Sequence, residues 1–212
     1  MKLVSSGVDS SVVVGGSLTN AVAGIDSSYV NHILGMLSSM YKNIPMAVIR
    51  EYTTNAVDAH KEVGKENIPI RVHLPTSANP VLVVKDFGKG LTEEQMTALY
   101  LNVGSSSKRL SNDFTGGFGV GSKSVFAYTN QMEVTSVYSS NGVKTKLIYL
   151  YYKSEDDGSI NLSLYAREED VKHESTGLTV SIPIKKGEVG IFANAAADIP
   201  ITHLTFQVAF IA

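Results

Sequence analysis

The segment IREYTTNAVDAH, residues 49–60, has the make-up of a helix with two unlike stripes. Ile49, Tyr52, Ala56 and Val57 recur at the spacing of an apolar face that can pack a core. Glu51, Asn55 and Asp58 form the second stripe. At about 100° per residue Asn55 lies about 40° and Asp58 about −20° from Glu51, so the three share a wedge of about 60°. A solvated face collects the same residue types, so the stripe alone does not separate a surface from a site. Against a triphosphate, however, the Asn55 amide oxygen suits a hard Mg²⁺ ion, which takes oxygen ligands and keeps several waters. Glu51, one turn earlier, is then placed to orient and deprotonate a water aimed at the γ-phosphorus.

On either side of this stretch the helix has its own punctuation. Asn43 offers an N-cap, Pro45 falls in the first turn where its missing N–H costs little, and Gly64 offers a stop. Upstream, residues 28–41 carry apolar side chains at 30, 33, 34, 37, 40 and 41, the pattern of an amphipathic helix. Residues 1–27 are rich in Ser, Gly and Val without a clean period and are expected to form an arm or edge strand. Downstream, PIRVHL (69–74) and VLVVK (81–85) are expected to pair as strands. Thr92 and Gln95 have capping-box spacing for a short helix, and residues 102–118 form a long polar loop. A third major helix is expected from Gly121 through SKSVFAYT. Four strands then follow near 132–138, 143–152, 159–166 and 177–184, with hairpin turns at Asn141-Gly142 and at the acidic 155–158. Early helices and late strands predict an α/β two-layer sandwich, helices on a mostly antiparallel mixed sheet. Residues 187–212, Ala-rich and then apolar, are expected to be an extension or the start of a following domain.

Two glycine-rich turns carry further chemistry. DFGKG, 86–90, puts Asp86 at a strand end with Gly88 and Gly90 behind it, where glycine lets a flat ligand approach the backbone. An ionised carboxylate only accepts hydrogen bonds, so beside an adenine it selects the exocyclic amine and rejects guanine's carbonyl. A plain strand-to-helix turn would look the same in isolation. GGFGVGSKS, 116–124, is not a P-loop, because Ser122 precedes Lys123, and it is not a dinucleotide fingerprint, because Gly117, Gly119 and Gly121 are spaced by two after a polar loop. What remains is a glycine turn opening a helix, whose free N–H groups suit a phosphate. Lys123 and the Lys108-Arg109 pair add loose positive charge nearby, although lysines in Ser-rich loops are ordinarily just solvated.

Composition bounds the rest. The 212 residues are 43% hydrophobic, enough for one core, and the net charge of −2 (18 basic, 20 acidic side chains) builds no field for nucleic acid. The chain has no cysteine, so disulfides, zinc-thiolate sites and thiol nucleophiles are excluded. There is no transmembrane-length apolar run and no apolar signal core, so a cytoplasmic protein is expected. The five histidines lack metal-ligand spacing and are expected in surface or capping roles.

Taken in order, RExxxNAxDA, DxGxG, GxGVG and a late Gly-Leu-Thr strand resemble the GHKL superfamily of ATPases (gyrase B, Hsp90, MutL, histidine kinases) over about residues 28–185. FGVGSKSVF is similar to the Hsp90 form of the last glycine turn. Within the superfamily, AGIDSSYVNHIL followed by IREYTTNAVDAH most resembles the N-terminal domain of phage rapid-lysis RIIA-type proteins. The resemblance implies a Bergerat fold with ATP and Mg²⁺ as cofactors. It makes Glu51 the catalytic water-activating residue and Asn55 the Mg²⁺ ligand, with Asp58 on the phosphate side of the pocket. Asp86 would bind adenine between Gly88 and Gly90. Gly117, Phe118, Gly119, Val120 and Gly121 would form the phosphate turn, and residues 103–118, with Lys108, the ATP lid. Thr179 would be the adenine-site threonine, although the usual Gly-Thr is here interrupted by Leu178. Histidine kinases lack the catalytic Glu, so Glu51 points to the hydrolysing branch. The expectation is a slow ATPase that uses ATP binding to order its lid and drive homodimer or partner interaction, in the host cytoplasm if phage-encoded. A following domain that often completes such sites is not expected within this chain. The alternatives are a non-hydrolysing nucleotide-dependent regulatory module and a non-nucleotide interaction domain.

Overall fold

The computed structural model describes residues 20–25, 35, 42–101, 121–197 and 208–211. The helix expected over 28–41 therefore lies outside the described residues except at Gly35, and the segment 103–118 and the glycine turn through Val120 lie outside them entirely.

Among the described residues, eight strands form one sheet in the order β1-β6-β5-β4-β7-β3-β2-β8. They are β1 (Asn20–Ile25), β2 (Ile70–His73), β3 (Val81–Lys85), β4 (Gln131–Ser140), β5 (Val143–Lys153), β6 (Ile160–Glu169), β7 (Gly177–Pro183) and β8 (Val208–Ile211). Neighbours run antiparallel except β2 and β8, which run parallel. Register decides which side of the sheet is core. Val72, Val84, Val180, Val134 and Tyr149 lie in one cross-strand row and are all buried. The adjacent row, Arg71, Lys85, Thr179, Thr135 and Ile148, points the other way, because successive strand side chains alternate faces. The expected layered α/β architecture is thus the one observed.

Helices cover the inner face. The first, α1 (Ile44–Lys61), starts where expected: the Asn43 side chain accepts from Met46 N at 3.1 Å, with Pro45 in the first turn. Its end is set by Gly64 at φ +66°. Lys65 N donates to His60 O at 2.9 Å and Gly64 N to Lys61 O at 3.3 Å, the paired bonds that close a helix on a left-handed residue. Val48, Ile49, Tyr52, Ala56 and Val57 are buried, so the apolar stripe meets the core. Helix α2 (Glu93–Leu101) begins with the reciprocal Thr92–Gln95 bonds of a capping box, at 3.0 and 3.4 Å. At the hairpin of β4 and β5, Asn141 and Gly142 have φ of 51° and 81°, as a two-residue primed turn needs.

One expectation changes. The third major helix is instead a 3₁₀ helix, Gly121–Ala127. Ser122, Ser124 and Val125 are weak α-formers, and Tyr52 Oη donates to the Ser122 carbonyl at 3.0 Å, the group an α-helix would offer to Phe126 N. After β7 a short 3₁₀ turn (Lys186–Glu188) leads into α3 (Val189–Ala197), which packs on α1. Phe192, Ala195 and Ala196 are buried there, with the Phe192 ring edge-on to Tyr128 at 4.8 Å. The Ala-rich run is therefore a helix of this layer, and β8 extends the same sheet.

Candidate functional site

Helix α1 turns its polar stripe toward a cleft of about 450 Å³ between the helix layer and the sheet. Glu51, Asn55 and Asp58 line it from one side. Asp86, at the end of β3, lines it from the opposite side, together with Gly90, and Gly121 lines it beside Glu51. The walls between are apolar: Ala56, Ala59, Val84, Leu91, Leu178 and Val180. A flat apolar-faced group fits between such walls, with its polar edge directed at Asp86.

Asp86 is 5% exposed and held from two directions. Its Oδ1 accepts from Gly88 N at 2.8 Å and from Leu178 N, on β7, at 3.1 Å. Among the described residues both bonds go to Oδ1, which leaves Oδ2 to accept from a ligand. Burial pushes the carboxyl above its ordinary range, opposed by the two N–H bonds and then by nearby positive charge, Lys65 included. Gly177 makes this arrangement possible. Its φ is +136°, and a Cβ there would stand 2.3 Å from Asp86 O and 2.8 Å from Asp86 Oδ1.

At the other end, Glu51 lies against the start of the 3₁₀ helix. A Cβ on Gly121 would stand 2.5 Å from Glu51 Oε2. Tyr52, next to it, is buried, and its hydroxyl fixes Ser122 as described while also meeting Met132 Sδ at 3.3 Å. Burial first, and then the charges around it including Glu51, hold the Tyr52 hydroxyl well above its ordinary pKa, so it stays a neutral donor.

The described lining carries four carboxylates, Glu51, Asp58, Glu62 and Asp86, against one ammonium, Lys89. Lys89 pairs with Glu62 at 3.0 Å across the rim and Asp58 with Lys61 at 3.6 Å, both partly exposed and worth little in stability. An anionic ligand placed here needs countercharge from elsewhere. Asn55 supplies a hard oxygen donor on the cleft, and no group of three or more acidic, His or Cys side chains among the described residues could hold a metal unaided. That donor set fits an ion of the Mg²⁺ type, which takes few protein ligands and shares phosphate oxygens.

Residues 43–177 match the family described as "Histidine kinase-, DNA gyrase B-, and HSP90-like ATPase". The chain belongs to that family. It is also 27% identical over 177 residues to the chaperone protein HtpG of Buchnera aphidicola subsp. Cinara cedri (strain Cc), a match covering 72% of this chain and 27% of HtpG. The chain thus spans about a quarter of the length of that curated relative.

In this ATPase-family domain the structure brings Glu51, Asn55, Asp58, Asp86, Gly90 and Gly121 to one cleft. Gly88 is buried behind it, with the position of a Cβ 3.0 Å from the Ala59 Cβ. Thr179 is not brought there. It lies in the outward row of β7, while Leu178 and Val180 line the cleft, so the inserted leucine puts the threonine on the opposite face. Lys108, Gly117, Phe118, Gly119 and Val120 lie outside the described residues. Lys123 corrects the reading of it as a loose or solvated cation. It is fully buried, with Nζ 3.1 Å from Ser122 Oγ and 3.4 Å from Leu99 O at the end of α2, and burial pushes its pKa down to about 8. A helix C-terminus is the end that attracts a cation. Sequence reasoning missed the apolar walls and His60, whose partners are set only by the fold.

Proposed function

We propose that the chain binds ATP with Mg²⁺ in this cleft and hydrolyses it slowly, using binding to favour association with a partner or a second copy. The observation that supports this most is Asp86: a buried carboxylate with Oδ1 occupied by two N–H groups and Oδ2 available beside apolar walls. Such a group selects an amine-bearing base edge, and a hydrogen bond to it contributes about 1.5–3 kcal/mol, or roughly 10- to 150-fold in affinity. Asn55 would hold Mg²⁺, which supplies charge neutralisation for the phosphates. Glu51, at the opposite end of the cleft from Asp86, orients the attacking water and takes its proton. The acid-rich described lining supports a slow rate, because neutralising charge on the transferring phosphoryl group is the main lever of this chemistry. Residues 103–118 are the candidate lid, and its ordering is the step by which ATP would favour association.

Thermal melting with ATP and Mg²⁺ tests the binding. Ligand at about 100 times Kd should add about 2.7 kcal/mol and raise the midpoint by about 5–11 °C, and EDTA should remove the shift. Asp86→Asn should weaken binding by the factor above. Glu51→Ala should bind within about 2-fold of wild type but turn over about 10²–10⁴-fold more slowly. An unmoved midpoint in wild type sinks the binding proposal. Bound ATP left intact by both wild type and Glu51→Ala leaves a nucleotide switch that does not hydrolyse, and equal non-zero turnover removes Glu51 as the catalytic residue.

A further inference from the structure

His60 lies outside the cleft lining, yet it is 1% exposed and both of its ring nitrogens are engaged by backbone. Nδ1 is 2.9 Å from Ile68 O, which can only accept, so Nδ1 carries the proton. Phe87 N then donates to Nε2 at 2.7 Å. The imidazole is fixed as one neutral tautomer that accepts from the residue immediately after Asp86. The other side of the same residue is also held: Lys65 Nζ donates to Phe87 O at 2.6 Å, while Lys65 N donates to His60 O at 2.9 Å. The Phe87 ring packs against the His60 ring at 6.0 Å, with the Arg71 guanidinium 5.1 Å and the Lys85 ammonium 5.7 Å from its centroid. Both hydrogen-bonding groups of residue 87 are thus tied to the C-terminal end of α1, the helix that carries Glu51 and Asn55.

Such a tie has a directional consequence. The Asp86 carboxylate has its Oδ1 pinned by Gly88 N and Leu178 N, and the orientation of the 86–88 backbone decides where Oδ2 points. The Phe87 N–H belongs to the peptide unit that includes the Asp86 carbonyl, so fixing it fixes the peptide plane from which the side chain springs. A leucine or methionine of similar size would fill the space without fixing that plane and would leave a half-buried N–H without its acceptor.

The geometry points to His60 as a positioning residue for base selection: through Phe87 N–H it sets the direction of the Asp86 carboxylate and couples that end of the site to α1. This deepens the ATP reading and rests on it. It predicts a loss confined to the 6-amino contact.

The test compares Mg·ATP with Mg·purine riboside triphosphate, which lacks the 6-amino group, by equilibrium binding to the full chain. Wild type should prefer ATP by roughly 10- to 150-fold. His60→Asn keeps a donor where Nδ1 stood but has no acceptor at the Nε2 position. It should lose about 10-fold in preference, with binding of the deaminated analogue within about 2-fold of wild type. His60→Gln restores an acceptor near the Nε2 position and should retain the preference within about 3-fold. A preference unchanged in His60→Asn, or an equal loss for both nucleotides, overturns the positioning role. Wild type that does not distinguish the two nucleotides removes the Asp86 reading itself, a different failure. If His60→Asn does not fold, Lys65→Met releases the other side of residue 87 and is judged by the same ratio. Loss of preference there supports the coupling, and an unchanged ratio overturns it.

Discussion

Replacing Gly177 by alanine should damage the molecule more than any ordinary surface change, and the structure gives the size. The residue has φ +136°, a region that side-chain-bearing residues avoid at a cost of about 1–3 kcal/mol. The new Cβ would also stand 2.3 Å from Asp86 O and 2.8 Å from its carbonyl carbon, and these are backbone atoms of a neighbouring strand end that cannot rotate away. Overpacking of this kind adds about 1–3 kcal/mol. The sum, about 4 kcal/mol, lowers the melting midpoint by about 8–16 °C for a domain of this size. Two controls separate the causes. Gly142 has φ +81° with nothing within 4 Å of its Cβ position, so Gly142→Ala bears strain alone and should cost about 1–2 kcal/mol. Gly187 has neither positive φ nor a neighbour, so Gly187→Ala should melt within about 2 °C of wild type. Calorimetry on the three variants, with ATP binding measured on each, reads the series. Because the clash falls on Asp86, Gly177→Ala should also lose most of its ATP affinity at temperatures where it is folded. A Gly177→Ala protein that melts and binds like wild type would refute the close approach on which the base-reading site depends.

Other outcomes follow from titration and packing. Asp86 is held above the ordinary carboxylate range, so the preference for ATP over purine riboside triphosphate should fall as pH drops toward that raised value, before ordinary carboxylates protonate. The Asp86→Asn protein should show no such fall, and stability of the ligand-free wild type should rise over the same acid window as the buried charge is removed. Lys123 titrates near 8, below the ordinary lysine value, so the unfolded chain binds more protons between about 8 and 10.4 and stability should rise with pH there. Denaturant titrations at pH 8 and 10 should show this rise in wild type and a flatter profile in Lys123→Met. Gly121→Ala should leave the melting midpoint nearly unchanged, because the atom its Cβ meets is the far end of the Glu51 side chain, while hydrolysis falls as far as in Glu51→Ala.

What the sequence made legible was short in range. The Asn43 cap, the Gly64 stop, the Thr92–Gln95 box and the Asn141-Gly142 turn each use partners within five residues, so their signals sit in one window. The α1 stripe and Asp86 were legible as residue types, and their meeting in one cleft required the sheet. The misreadings have the opposite character. His60 looked like a surface or capping histidine because its partners are 8 and 27 residues away. Lys123 looked solvated because nothing local announces that it turns beneath the end of α2. Thr179 was assigned by motif position, whereas strand alternation, set by the pairing of β7 with β3, gave its place to Leu178 and Val180. The α-helix expected at Gly121 was displaced by a bond from Tyr52, 70 residues earlier in the chain.

Two motif glycines set the polar stripe of α1 and the carboxylate facing it apart from an ordinary solvated surface. Exposure does not decide it, since Asn55 is exposed and Glu51 and Asp58 are half-buried, values an ordinary surface helix would share. The decisive contacts come from outside the helix. Gly121 brings a backbone, with no side chain between, onto the Glu51 carboxylate, and Gly177 brings another onto Asp86 across the same cleft. Such a close approach restricts the Glu51 carboxylate on that side. In the proposed site that contact holds the Glu51 carboxylate at one end of the cleft, as orienting a water would require. The same helix, through its closing turn and His60, also holds residue 87, so the two ends of the cleft share one rigid element. A shift of α1 would move Glu51 and the backbone behind Asp86 together, which under the proposed function would keep the distance between base recognition and water activation fixed while a nucleotide spans them.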